Sequence, residues 1–235
     1  MSDLGKMHYF LGLEVTQSAV GIFICQKKYV GENLERFQME NCNFVSTPVE
    51  YGLKLTNDPQ GRRVDSRYIK QIVGSLMYLS ATRPDIMYAV NLISRYMEDP
   101  KEIHLLVAKR ILRYLKGTME FGLFYKMGDK SSLIGFTDSD FAGDPDDRKS
   151  TSGFVFMVGS AAILWSSKKQ PIVTLSTTEA EYVAANSCAC QAIWLRRILE
   201  KQYSYVSSFL VNHLFPCYLN FLVRFPLNRN KNVVP

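Results

Sequence analysis

One change of hydrophobic period constrains this chain more than any other feature. Between residues 66 and 116 apolar side chains recur every three to four positions; after Gly117 they alternate. A 3.6-residue period buries one stripe of a helix and a period of two buries one face of a strand, so the switch separates a helical region from a sheet region. The helical part opens with residues 66–81. Pro84 then suits the first position of a second helix with the stripe Ile86, Val90, Ile93 and Met97, ended by Pro100. Residues 101–116 carry Ile103, Val107, Ile111 and Leu115 on one side of a third helix. Strands follow at 123–125, 133–138, 153–158 and 161–166, with turns at Gly128–Asp129 and Gly159–Ser160, and then one long helix from Ser176 to about Leu199. Ahead of all this, 7–15 and 21–26 read as a hairpin, 27–40 as a helix and 41–63 as an irregular linker. The expected architecture is α/β (α+β), with a hairpin and helical segment over 1–126, a three-stranded antiparallel sheet with one helix over 127–201, and a tail over 202–235.

Composition excludes several classes. With 47% hydrophobic and 12% aromatic residues, the bulk of the chain is not disordered. Five Cys form no C-x-x-C pair and there are three His, which reads as reduced thiols in an intracellular protein (cytoplasm or nucleus) rather than a zinc site. Residues 1–6 lack the pattern of a secretory signal, and Asn212, His213, Pro216 and Asn220 interrupt the uncharged run at 202–223, so no membrane partner is expected. Charge is uneven: from Arg148 onward ten Lys/Arg face three Glu, so +7 of a net +6 lies there and the first 147 residues sum to −1. A basic end of this kind suits a polyanion.

Two carboxylates stand out. In Ile134-Gly135-Phe136-Thr137-Asp138, alternation places Asp138 on the face of Ile134 and Phe136, read here as the core face. In the long helix, Ser176 with Glu179 fits a capping box, Glu179 reaching back to the cap amide. Glu181 heads the stripe Glu181, Ala185, Cys188, Ala192, Leu195 and Leu199, which turns it inward, where Asp138 also points. Paired carboxylates with oxygen-only ligation favour Mg²⁺. Lys109, Arg113 and Lys116 share a side of the third helix, either as a solvated face or as a rail for phosphates. Ser150, Thr151 and Ser152 suit phosphate contact or turn chemistry equally. His104 reads as a surface or cap-adjacent residue, and Trp165 and Trp194 as packing residues.

The runs Gly135-Phe136-Thr137-Asp138-Ser139-Asp140-Phe141-Ala142-Gly143-Asp144, Asp147-Arg148-Lys149-Ser150-Thr151-Ser152-Gly153, Trp165-Ser166-Ser167-Lys168-Lys169-Gln170 and Ser176-Thr177-Thr178-Glu179-Ala180-Glu181-Tyr182 resemble the ribonuclease H region of copia-type retrotransposon polyproteins. Upstream, Tyr9-Phe10-Leu11-Gly12, Val73-Gly74-Ser75-Leu76-Met77-Tyr78-Leu79, Thr82-Arg83-Pro84-Asp85-Ile86 and Arg110-Ile111-Leu112-Arg113-Tyr114-Leu115-Lys116-Gly117-Thr118 resemble the downstream part of the same family's reverse transcriptase. The resemblance covers residues 1 to about 201; the tail at 202–235 looks unrelated, as intron or frameshift translation would. It implies an incomplete ribonuclease H-like fold, an RNA–DNA hybrid as partner together with the remainder of the polyprotein, and Mg²⁺ as cofactor. Asp138 and Glu181 match the first two of four metal-binding acids. The other two belong to a later Cys-Asp-Asn-type strand and beyond, yet no aspartate follows Asp147 and Glu200 is the only later acid. The polymerase Tyr-x-Asp-Asp turn would lie before Tyr9. The resemblance therefore implies a vestigial site without turnover, with Lys168, Lys169 and the helix cations Lys109, Arg113 and Lys116 left to hold nucleic acid. Arg110-Ile111-Leu112-Arg113 also matches an Arg-x-Leu-Arg pattern, which keeps a secreted effector as an alternative.

Overall fold

The computed structural model describes residues 7–128 and 133–206; the expectations for residue 129 and for 207–235 lie outside them. Two compact units result. The first holds residues 7–124 with 144–147, and the second holds 125–128, 133–143 and 148–206.

The first unit begins with strands β1 (Tyr9–Phe10), β2 (Leu13–Ser18) and β3 (Gly21–Cys25), to which β4 (Gly122–Lys126) is added in the order β1-β2-β3-β4. Both residues of the β1–β2 turn have positive φ, Leu11 at 47° and Gly12 at 76°. A two-residue hairpin turn of this hand needs that geometry, which glycine adopts without strain. Helix α1 (Lys27–Arg36) stops four residues earlier than the pattern suggests. Gln38 turns left-handed at φ 57° and the Met39 amide donates back to Leu34 O at 2.7 Å.

Helices α2 (Ser66–Leu79), α3 (Met87–Ser94) and α4 (Glu102–Gly117) build the core. Asp65 caps α2 by accepting from the Arg67 amide at 2.9 Å. Ile69, Ile72, Val73, Leu76 and Leu79 are buried against Ile86, Val90, Ile93, Ile111 and Leu115. The expected second helix is divided: Pro84–Ile86 form a 3-10 turn and α3 ends at Ser94, leaving Met97 packed on the core from beyond it. Buried Arg83 joins this turn to the end of α4. It pairs with Asp85 at 2.7 Å and donates to Thr118 O at 2.8 Å, while Tyr114 Oη donates to Asp85 at 2.8 Å.

In the second unit, β5 (Leu133–Ser139), β6 (Thr151–Val158) and β7 (Ala161–Lys169) form an antiparallel sheet in chain order, and α5 (Thr177–Val206) rests on β5 and β6. This is the three strands and one helix that the period change implies. The β5 face is the reverse of the expected one. Phe156, buried with Cys188, Ala192 and Leu195, stands opposite Gly135 in register, and a Cβ on Gly135 would lie 2.6 Å from its ring. Gly135 and buried Thr137 thus face α5, whereas Ile134, Phe136 and Asp138 lie on the other face, where Phe136, Val155 and Trp165 align in register. The helix explains the inversion. Its buried stripe is Ala180, Ala184, Cys188 and Ala192, so small residues on both sides let it come close, and the larger apolar residues are left for the opposite face. Glu181 and Ala185 flank that stripe half-buried instead of belonging to it. Among the described residues no helix is long and apolar enough to cross a membrane.

Candidate functional site

The site forms where β5 ends and α5 begins. Ser176 Oγ accepts from the Glu179 amide at 3.1 Å, which fixes the first turn of α5. The Glu179 carboxylate reaches past the cap amide and accepts from the Leu175 amide at 2.6 Å. That holds Glu179 against the backbone and leaves Glu181, two residues on, to meet the strand.

Asp138 is exposed and Glu181 half-buried, and their side chains are hydrogen-bonded. The Ser139 amide donates to the Glu181 carboxyl as well. Burial pushes the Glu181 carboxyl above its usual range, and the charge and hydrogen bond of Asp138 push it further; the Ser139 amide opposes them. No cation is among the groups that set its titration. The two acids therefore meet although Asp138 does not lie on the helix-facing side of β5, because the helix starts at the strand's end, where a side chain from either face can reach it.

Acids that follow Asp138 in the sequence are otherwise engaged. Asp140 Oδ1 accepts from the Thr151 amide at 2.5 Å, extending the β5–β6 ladder. Buried Asp144, which belongs to the first unit, pairs with Arg95 at 3.4 Å and accepts from the Asp146 amide at 3.0 Å. Among the described residues no three His, Cys, Asp or Glu side chains cluster as metal ligands. What the donor set does fit is a single hard cation: Mg²⁺ is typically held by one or two carboxylates, with waters and substrate phosphates completing its shell.

The candidate phosphate contacts are distributed across both units. Lys168 is exposed on β7 and half-buried Lys169 alternates to the other side. On α4, Lys109, Arg113 and Lys116 are half-buried, and Arg113 Nε donates to Asn43 O at 2.8 Å. Arg110, with Glu50 at 2.7 Å, likewise fastens the irregular 41–63 segment to α4. Ser150 and Ser152 turn inward: buried Ser150 Oγ accepts from the Ala142 amide at 3.1 Å, and Ser152 Oγ accepts from Gln170 Nε2 at 2.8 Å. Of the two tryptophans, Trp165 is half-buried and Trp194 is 53% exposed on α5, so the packing role expected of Trp194 is not seen. His104 is fully buried, stacked on Tyr96 with centroids 4.2 Å apart; it is cap-adjacent, accepting from the Lys101 amide at 2.9 Å, and not a surface residue. Sequence reasoning missed Gln170. A glutamine at a strand's end carries no periodic signal.

Residues 1–51 match the family model described as reverse transcriptase (RNA-dependent DNA polymerase). The chain is 42% identical over 199 residues to the retrovirus-related Pol polyprotein from transposon RE1 of Arabidopsis thaliana, covering 85% of this chain and 14% of that polyprotein. It is 40% identical over 195 residues to the uncharacterized mitochondrial protein AtMg00810 of the same plant, covering 83% of this chain and 80% of the relative. Over 124 residues it is 43% identical to the secreted RxLR effector protein 161 of Plasmopara viticola, covering 52% of this chain and 87% of the relative. No solved structure matches it.

Proposed function

The chain belongs to the copia-type retrotransposon Pol polyproteins, and from that premise we propose that its second unit is a ribonuclease H-like remnant that binds RNA–DNA hybrids without cleaving them. The supporting observation is the hydrogen-bonded pair Asp138 and Glu181, set on a strand end and a helix start as the family resemblance implies. The chain spans about 14% of the first Pol polyprotein and 80% of the mitochondrial relative, so the activities of whole Pol proteins enter here as part of the proposal.

Asp138 and Glu181 would hold one Mg²⁺. When bound, that ion supplies charge stabilisation to a phosphoryl oxygen. Glu181 would bind the ion as the carboxylate, the form that the Ser139 amide favours. Lys168, exposed on β7, attracts the hybrid's phosphates. Asp138 and Glu181 are two of the four acids that the resemblance implies. Loss of one such ligand removes roughly 10³-fold in rate, and loss of two abolishes turnover. The location that suits this role is intracellular, in cytoplasm or nucleus.

Incubating the purified chain with a labelled hybrid and Mg²⁺ tests the reading. Micromolar binding at low salt without cleavage is expected. Robust cleavage that disappears in Asp138→Asn overturns the inactive assignment, and no binding at low salt overturns the hybrid-binding one.

A second reading, a secreted effector, draws on the similarity to effector protein 161. Ile111 and Leu112 of its Arg-x-Leu-Arg run are buried in α4, which leaves that run little access to a receptor. Detection of the native chain outside cells would favour it over the first.

A further inference from the structure

Gln170 follows the last residue of β7, and its side chain is buried. Its Nε2 lies 3.1 Å from Ser139 Oγ, 2.8 Å from Ser152 Oγ and 2.9 Å from Ala180 O. Its own amide donates to Ser150 O at 2.8 Å. One side-chain amide therefore ties together the ends of β5, β6 and β7 and the first turns of α5. Two of the tethered residues adjoin the acids directly: Ser139 follows Asp138 and gives its amide to Glu181, and Ala180 precedes Glu181.

Gln170 Oε1 is buried without a hydrogen-bond partner among the described residues. An unpaired buried acceptor is destabilising, and an apolar side chain of the same length would avoid it. The stabilisation that offsets this comes from the amide nitrogen, whose two hydrogens serve three acceptors. Such a network specifies one geometry more than it adds stability.

We propose that Gln170 is the positioning residue of this site, setting the separation of the β5 end from the first turn of α5 and with it the approach of Asp138 to Glu181. The role concerns the protein's own geometry; only its metal readout rests on the reading of the two acids as a cation site.

Gln170→Met keeps the length of the side chain and removes both polar ends. Two measurements on the full chain, with Mn²⁺ as probe, decide the matter. Hydrogen exchange of the Ser139 amide is expected to speed up at least tenfold while the amides of Val155 and Phe156 in β6 keep their protection. Mn²⁺ affinity by calorimetric titration is expected to fall about fivefold, with Asp138 and Glu181 both intact. Ser139 protection within twofold of the unaltered chain overturns the proposal, and so does an equal loss across β6, which would make Gln170 a general structural residue. Should Gln170→Met not fold, Gln170→Asn, one methylene shorter, is held to the same criteria. If the unaltered chain binds no Mn²⁺ at all, the cation-site reading fails, and the Ser139 exchange still judges Gln170 by itself.

Discussion

Burial and the Asp138 carboxylate both favour the protonated form of Glu181 in the folded chain, and unfolding removes both influences. A carboxyl whose folded pKa is raised binds more protons folded than unfolded between its two pKa values. Stability accordingly falls as pH rises through that window, which opens near the ordinary carboxyl value of about 4.3. Glu181→Gln should therefore stabilise the second unit by roughly 0.5–1 kcal/mol at neutral pH, with no gain below the ordinary carboxyl range, as urea melts at the two pH values would reveal. Equal effects at both would show that the carboxyl is not strained. That an acid stands at the end of β5 and another just past a capping box was legible in the residues, although alternation put Asp138 on the wrong face of the strand. Their surroundings were not. Asp140 and Glu179 have the same chemistry, and only backbone geometry decides that their oxygens go to the Thr151 and Leu175 amides. Gln170 was invisible for the same reason, because its role lies in what folding places around it.

The period change and the proline and glycine punctuation give the elements themselves, whereas which face each one buries depends on its partner. Ile134 and Phe136 are the bulkier pair on β5 and suggest the core side, yet α5 comes down over Gly135 and Thr137 because its own stripe is alanine and cysteine. Close approach makes size critical there. Gly135→Ala, with its new Cβ 2.6 Å from the fully buried Phe156 ring, should cost about 1–3 kcal/mol. Gly153→Ala, whose Cβ would lie 3.5 Å from Ser166 O, should stay within about 0.5 kcal/mol in the same denaturation series. Similar costs would mean that α5 does not pack where described. The start of α4 gives a second case. His104 Nδ1 accepts from the Lys101 amide at 2.9 Å and Nε2 donates to Thr56 O at 2.9 Å, so both contacts are met by the neutral ring. Burial lowers its pKa, the Thr56 carbonyl opposing. Since the unfolded ring takes up its proton first, the stability contributed by His104 is present above pH about 6.5 and is lost as pH falls toward the depressed folded value. The first unit should lose thermal stability over that interval. His104→Gln should lie about 2 kcal/mol lower at pH 8, having given up a buried ring and its contacts, but should be flatter with pH. An unchanged slope would assign the acid sensitivity elsewhere.

Across the whole molecule, charge is the property that neither a single site nor a single element explains. The +7 from Arg148 onward and the −1 before it mean that a polyanion is drawn to the later residues, whatever the first unit does. Half-buried Lys109, Arg113 and Lys116 lie on α4, where Arg113 already serves the Asn43 carbonyl, so they offer phosphates less than their spacing on a helix suggests. Lys168 is exposed on β7, in the same unit as the carboxylate pair. Each phosphate neutralised by a lysine releases condensed counterions, and the logarithm of affinity falls with the logarithm of salt at about 0.9 per contact on a duplex. If hybrid binding runs through the second unit, Lys168→Ala should reduce that slope by about one and weaken binding at low salt about equally for all hybrid sequences. Lys109→Ala and Lys116→Ala should leave the slope unchanged within error. Fluorescence anisotropy of a labelled hybrid between low and physiological salt measures all three. A slope that answers to the α4 lysines and ignores Lys168 would move the nucleic-acid surface to the first unit and separate it from Asp138 and Glu181. A slope near zero in the unaltered chain would remove the hybrid as a partner altogether.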